Sequence, residues 1–123
     1  NTLAPVITAA SIKAFELIES GGNLRRKLKD NARHFREGMS ALGFNLVPGE
    51  HPIIPVMLGD AKLTQQMATR LLDEEIYVVG FSFPVVPHGK ARIRTQMSAA
   101  HSESDIDRAI TAFAKVGSDL RLI

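Results

Sequence analysis

The 123-residue sequence contains no cysteine, and this absence excludes several classes of protein. The chain cannot form disulfides, offers no thiolate to a metal and has no cysteine nucleophile, which fits a reducing compartment. The chain also lacks a large net charge, because its 15 basic and 13 acidic side chains leave only +2. So weak an excess does not argue for nucleic acid as a partner, since nucleic-acid binding needs a concentrated basic patch.

Long apolar runs are absent too, and none approaches the roughly 20 residues that a membrane helix requires. The first residues show no charged leader followed by an apolar block, so we expect no signal peptide. Because the chain does not begin with methionine, we expect Asn1 to be a cut point, produced by processing or by division of a longer protein. The hydrophobic fraction of 45% and the length predict one globular domain over residues 1–123.

Apolar spacing and helix-end residues predict four helices, over residues 3–20, 24–42, 61–73 and 102–121. Pro5 suits a first helical turn, and Gly21 with its neighbour ends the first helix. Asn23 and Asp60 are predicted N-caps, and Ser102 begins a capping box. The predicted inward stripes are Ile7, Ala10, Ser11, Ala14 and Ile18; Leu24, Leu28, Ala32, Phe35, Met39 and Leu42; Leu63, Met67, Leu71 and Leu72; and Ile106, Ile110, Phe113, Val116 or Gly117, and Leu120.

Strands are predicted at residues 44–47, 53–58, 76–81 and within 89–98, from their β-branched and aromatic content and bounding turns. Pro55 lacks a backbone N–H and therefore implies an edge or early strand position. The order α-α-β-β-α-β-β-α predicts an α/β chain of the two-layer α+β kind. In it a small, mostly antiparallel sheet carries helices on one face.

The last predicted strand contains two arginines, Arg92 and Arg94, two residues apart. Side chains at that spacing lie on the same face of a strand. Two guanidinium groups on one face form a site for an anion, and arginine matches a carboxylate bidentately. The alternative interpretation is a solvated strand face, since charged side chains are mostly exposed.

The other candidate sites are weaker. The histidines at positions 34, 51, 88 and 101 are scattered without metal-ligand spacing, and structural or surface roles are favoured for them. The acidic residues 73–75 and the basic run 25–29 are predicted to be solvated surfaces. No Gly-rich phosphate loop and no Gly-x-Ser-x-Gly elbow occurs. We therefore predict no metal site and no complete catalytic constellation.

The stretch Gly80-Phe-Ser-Phe-Pro-Val-Val-Pro-His-Gly-Lys-Ala-Arg-Ile-Arg-Thr-Gln-Met-Ser-Ala-Ala-His101 resembles the C-terminal domain of the α-oxoamine synthases, which are fold-type I pyridoxal-phosphate (PLP) enzymes. The likeness extends over the whole chain, including residues 1–5 and 52–60. Sister synthases of 8-amino-7-oxononanoate, 5-aminolevulinate and the sphingoid base generally carry threonine where this chain has Val85. That difference favours the glycine C-acetyltransferases, also called 2-amino-3-ketobutyrate CoA ligases.

The resemblance implies a PLP-dependent condensation of glycine with acetyl-CoA, linked to threonine breakdown, in a homodimer. By the same resemblance Arg94 grips the glycine carboxylate, and Arg92 supports the sheet or a domain contact. Asn1 and Thr2 match the stretch that reaches the PLP phosphate of the other subunit. Residues 81–87 would line the substrate entrance, and helix 3–20 would connect this domain to the large PLP-binding domain.

The sequence departs from the family in one respect, because nothing in it matches the Schiff-base lysine motif or its histidine and aspartate partners. We therefore predict that the isolated chain binds no PLP and catalyses nothing. The alternatives are a non-catalytic dimerisation or binding module, another α-oxoamine synthase such as 8-amino-7-oxononanoate synthase, and an unrelated anion- or nucleic-acid-binding domain. The expected location is the cytoplasm, or the mitochondrion in a eukaryote, with no nucleic-acid or membrane partner.

Overall fold

Four helices and three strands follow one another in the computed structural model, which describes residues 2–123. They are α1 (Pro5–Ser20), α2 (Gly22–Ala41), β1 (Ile53–Gly59), α3 (Ala61–Asp73), β2 (Val79–Phe81), β3 (Ala91–Gln96) and α4 (Glu103–Asp119). No helix within residues 2–123 combines the length and apolar content that a membrane span would need.

The three strands form one antiparallel sheet in the order β1-β3-β2, so β3 is the central strand. In this register Arg94 lies between Pro55 of β1 and Val79 of β2. β1 is an edge strand, as the proline within it predicts. The predicted fold class is confirmed by this small antiparallel sheet and its helices.

Alternation along the strands divides the sheet into a buried face and a more exposed one. On β3 the side chains of Ala91, Ile93 and Thr95 are buried, whereas Arg92 is half-buried and Arg94 is exposed. The buried face packs against α2 and α3, and α4 lies against both of these helices. The sheet therefore presents its arginines on the side opposite the core.

The core is built around Phe113 of α4. Its ring meets Phe35 of α2 edge-on at 6.0 Å between centroids and Phe44 at 5.9 Å. The buried strand side chains Ile54, Val56 and Ile93 complete the cluster on the sheet side. Edge-to-face aromatic contacts add specific geometry to the apolar burial, so α2, α4 and the sheet are fixed relative to one another.

Two predicted strands differ from the structure. Residues 44–47 contribute only an isolated bridge between Leu46 and Val56, because Phe44 still closes the end of α2 by donating its N–H to the Met39 carbonyl. The predicted strand 76–81 is strand only at Val79–Phe81. The residues before it complete the end of α3 and diverge from β3.

The helix predictions are right in position for all four helices, but some details are wrong. Asn23 is not an N-cap; Gly21 occupies that position, with no side-chain cap bond, and α2 follows α1 after this single residue. Asp60 accepts a hydrogen bond from the Leu63 N–H at 2.7 Å, which confirms the predicted cap of α3. Three groups of side chains that were predicted to point inward are exposed: the stripe of α1, Leu24 and Leu72.

Candidate functional site

The candidate site is the exposed face of β3, where alternation puts Arg92 and Arg94 side by side. Neither arginine forms an ion pair with a carboxylate of residues 2–123. Two unneutralised guanidinium groups on one sheet face make that surface locally positive. The prediction of a shared face is therefore confirmed by the geometry.

The two arginines differ in what holds them. The Arg92 Nε donates a hydrogen bond to the Lys90 carbonyl at 3.0 Å, which ties this side chain to the turn before β3. The Arg94 guanidinium carbon instead lies 4.3 Å from the centroid of the Phe81 ring. No hydrogen bond from the Arg94 guanidinium to another group of residues 2–123 is formed, so its N–H donors face outward unused.

Arg94 also stands at the rim of a cleft of about 570 Å³, which opens where the chain before β2 separates from β3. Phe35 and Phe113 lie at its apolar floor, and Gln96, His101 and Arg108 contribute polar groups. The cleft exists because pairing between β2 and β3 stops at Val79↔Arg94. The cleft and Arg94 together give a concave, polar-rimmed surface beside a free guanidinium.

The turn that follows β3 is fixed by side chains. Asn31 of α2 donates from Nδ2 to the carbonyls of Ser98 (2.9 Å) and His101 (3.1 Å), and the His101 Nδ1 accepts from the Ser98 N–H at 3.3 Å. Asn31 is buried, and the sequence reasoning missed its role. A signal was present, because position 31 falls on the apolar stripe of α2 between Leu28 and Phe35, where a polar residue needs a partner.

The start of α4 borders the same cleft and carries a complete capping box. Ser102 and Asp105 exchange hydrogen bonds: the Asp105 N–H donates to the Ser102 hydroxyl, and the Ser102 N–H donates to the Asp105 carboxylate at 2.8 Å. The Ser102 hydroxyl and then its backbone N–H hold the pKa of the Asp105 carboxyl below its ordinary value. Asp105 is therefore occupied with the helix end and is not available to bind a substrate.

The remaining histidines have structural contacts, in agreement with the sequence. His34 Nε2 lies 2.6 Å from Asp107 on the surface between α2 and α4, and His51 Nδ1 accepts from the Ile53 N–H at 3.1 Å. His88 stacks on Phe83 with ring centroids 3.9 Å apart. Within residues 2–123 no cluster of three or more histidine and acidic side chains could hold a metal ion.

Sequence comparison identifies the family. The aminotransferase class I and II family matches residues 1–113. The chain belongs to this family. It is 58% identical over 123 residues to the 2-amino-3-ketobutyrate coenzyme A ligase of Escherichia coli K12, covering all of this chain and 31% of that protein. It is 49% identical over 117 residues to the mitochondrial enzyme of that name from Mus musculus, covering 95% of this chain and 28% of that protein.

Another relative is the 8-amino-7-oxononanoate synthase of Symbiobacterium thermophilum, 44% identical over 119 residues, with 97% of this chain and 30% of that protein covered. Among solved structures, a serine palmitoyltransferase variant from S. paucimobilis with bound PLP-myriocin aldimine superimposes with a TM-score of 0.88. It shares 27% identity and covers 99% of this chain and 31% of that one. The chain thus spans about a third of the length of these relatives, and its resemblance to the α-oxoamine synthases is confirmed.

The lysines within residues 2–123 are the relevant side chains for holding PLP. PLP enzymes hold the cofactor through a lysine, and every lysine within residues 2–123 is exposed. None of these lysines lines the cleft beside Arg94. Thr2 is exposed just before α1, and Asn1 lies outside the described residues. Within residues 2–123 the cleft is therefore bordered by the guanidinium of Arg94 and by no lysine.

Proposed function

We propose that this chain is the C-terminal domain of a PLP-dependent glycine C-acetyltransferase, that is, a 2-amino-3-ketobutyrate CoA ligase. The complete enzyme would condense glycine with acetyl-CoA to 2-amino-3-ketobutyrate and CoA in threonine and glycine metabolism. One observation carries the proposal: the chain has an unpaired Arg94 guanidinium on an exposed sheet face, within a sequence 58% identical to enzymes of that name.

Arg94 would bind the carboxylate of glycine. A guanidinium presents parallel N–H donors that fit the two oxygens of a carboxylate, which fixes the orientation of the substrate as well as attracting it. Glycine has no side chain, so its carboxylate and amino groups are the only polar groups that an enzyme can bind. Holding the carboxylate in one plane therefore determines which Cα–H bond faces the reacting centre.

PLP would be held by the part of the enzyme that this chain does not span, and it would supply the electron sink for carbanion chemistry. The assignment of Asn1 and Thr2 to the PLP phosphate of the partner subunit stays a prediction, as does the homodimer. We further propose that α1 connects this domain to the PLP-binding domain. The expected location is the cytoplasm in a bacterium and the mitochondrion in a eukaryote.

The test is CoA release by the complete protein and by residues 1–123 alone, each mixed with PLP, glycine and acetyl-CoA. We expect glycine-dependent release from the complete protein and none above background from the isolated chain. Turnover by the isolated chain would contradict the proposal that PLP is held by the part of the enzyme outside this chain. A complete protein that binds PLP but turns over neither substrate would instead be the non-catalytic module.

A second candidate is 8-amino-7-oxononanoate synthase, favoured by the relative at 44% identity. Val85, where such synthases generally carry threonine, supports the first candidate. The discriminating measurement is substrate preference, with glycine and acetyl-CoA compared against other amino acids and longer acyl-CoA thioesters. Preference for a longer thioester would replace the first candidate by the second.

A further inference from the structure

Phe81 contacts Arg94 although it is not the residue opposite it. In the antiparallel register Val79 lies opposite Arg94, and Phe81 lies opposite Arg92. The guanidinium over the Phe81 ring nevertheless belongs to Arg94, at 4.3 Å from the centroid. Diagonal neighbours on a sheet are within reach of aromatic and long side chains, so the contact selects one arginine of the two.

A ring face suits a guanidinium that must remain available for a ligand. The ring attracts the cation through its quadrupole, so the contact needs no hydrogen-bond acceptor and leaves the N–H donors of Arg94 for a carboxylate. Arg92 differs, because its Nε donor is already bonded to the Lys90 carbonyl, although its Nη donors bond to no group of residues 2–123. Ordering Arg94 before the substrate arrives also reduces the rotamer entropy lost when it binds.

The position of Phe81 is itself fixed by the glycine before it. A Cβ on Gly80 would lie 2.9 Å from the Thr64 Cγ2 of α3, so β2 approaches that helix as closely as a residue without a side chain permits. Thr64 is buried, and its hydroxyl donates to the Asp60 carbonyl at 2.7 Å. Phe81 therefore belongs to a strand that packs closely against α3.

We propose that Phe81 is a positioning residue that orients the Arg94 guanidinium toward the carboxylate of the amino-acid substrate. This inference rests on the proposed function, because it assumes that Arg94 binds that carboxylate. Phe81 itself need not touch the substrate. Its effect is specific to the carboxylate and should not extend to the acyl-CoA.

The experiment compares Phe81→Leu and Phe81→Tyr in the complete enzyme loaded with PLP. Leucine keeps apolar bulk but removes the ring face, so we expect the KM for glycine to rise about 3- to 10-fold, the range of a cation–π contact. The KM for acetyl-CoA and kcat should change less than about twofold, because the ring acts only through Arg94. Tyrosine keeps the ring face and should restore the KM for glycine to near the original value.

Arg94→Lys, measured in parallel, separates the two proposals. If it leaves the KM for glycine unchanged, the carboxylate assignment is overturned and the role of Phe81 with it. If Arg94→Lys raises the KM for glycine and Phe81→Leu does not, only the positioning role is overturned. The positioning role is also overturned if Phe81→Leu and Phe81→Tyr raise the KM for glycine equally. It is overturned as well if Phe81→Leu raises the KM for acetyl-CoA as much as the KM for glycine, because the ring would then merely support the fold.

Discussion

At the scale of single residues, two chemically identical side chains on one sheet face have different local partners. Arg92 and Arg94 share a sheet face, yet the Arg92 Nε is bonded to the Lys90 carbonyl and Arg94 rests on an aromatic ring. A guanidinium with free donors gains more from a bidentate carboxylate than one whose donors are already engaged. The contact with Phe81 therefore distinguishes Arg94, which we propose as the carboxylate ligand, from Arg92.

Gly117 gives a residue-scale prediction in which packing opposes helix propensity. A Cβ there would lie 2.6 Å from the Phe44 Cζ and 3.2 Å from the Ile123 Cγ1. The Phe44 ring cannot retreat, because it packs edge-on against Phe113. We expect Gly117→Ala to destabilise the chain by about 1–3 kcal/mol from overpacking, in spite of a propensity gain of about 1 kcal/mol.

The matched control for that substitution is Gly22→Ala. A Cβ on Gly22 would approach only the tip of the Arg25 side chain, at 3.9 Å, so propensity acts alone and the change should be neutral or stabilising. Urea unfolding of both variants measures the difference. A Gly117→Ala chain as stable as the original would contradict the account of this contact.

The capping box of α4 predicts a pH dependence. The pKa of Asp105 is lowered by its hydrogen bonds to Ser102, so the ionised carboxylate stabilises the fold above its unfolded pKa of about 3.9 and that stabilisation is lost as the pH falls through the lower folded pKa. Asp105→Asn should therefore be less stable than the original chain at pH 7. The difference should shrink progressively in acid.

Ser102→Ala is the companion variant for the same measurement. Losing the N-cap should cost about 1 kcal/mol at pH 7. Without the Ser102 hydroxyl, the pH dependence contributed by Asp105 should weaken. Urea unfolding at several pH values between 7 and 3 measures both effects, and a stability difference for Asp105→Asn that grows in acid would contradict the sign.

At the scale of elements, periodicity predicts most of the fold because the helices carry clear end signals. α3 and α4 begin where Asp60 and Ser102 place them, and β3 lies where the alternating arginines indicate. The misplaced strands, at residues 44–47 and 76–78, have strand-like composition. The N–H groups of Phe44 and Ile76 instead bond to the ends of α2 and α3, so residues 44–47 reach β1 only through a short bridge, and sequence alone does not reveal that competition.

α1 is the element that local pattern describes least well. Its apolar residues suggest a buried stripe, but no side chain of α1 is buried, and Phe15 is 66% exposed. An exposed apolar surface of this kind is typical of an interface. An isolated helix of 16 residues is also marginally stable in water, since helix stability in proteins comes mainly from packing.

Hydrogen exchange tests the proposed role of α1 as the connection to the PLP-binding domain. In the isolated chain we expect α1 amides to exchange much faster than those of α4 and β3, because α1 lacks buried contacts. In the complete protein the α1 amides should become protected. Equal exchange of α1 in the two forms would contradict an interdomain role, and α4 serves as the internal control.

At the scale of the whole molecule, the chain spans about a third of the length of its relatives, and we propose that the rest of the protein supplies the cofactor site. The family, the fold class and the arginine face could be predicted from the sequence, because they depend on local motifs and alternation. The Phe81–Arg94 contact and the cleft where β2 leaves β3 could not, since both depend on a strand register set by distant packing. Exposed apolar groups on α1 also predict marginal solubility for the isolated chain.

The most direct test of the account is the KM for glycine of Arg94→Lys in the complete enzyme, with Arg92→Lys as the matched control on the same sheet face. Losing a bidentate charged contact predicts a rise of about 10- to 100-fold for Arg94→Lys, with the KM for acetyl-CoA little changed. Arg92→Lys should alter the KM for glycine by less than about threefold, well below the effect of losing a charged hydrogen bond. An unchanged KM for glycine in Arg94→Lys, or a larger rise in Arg92→Lys, would contradict the account.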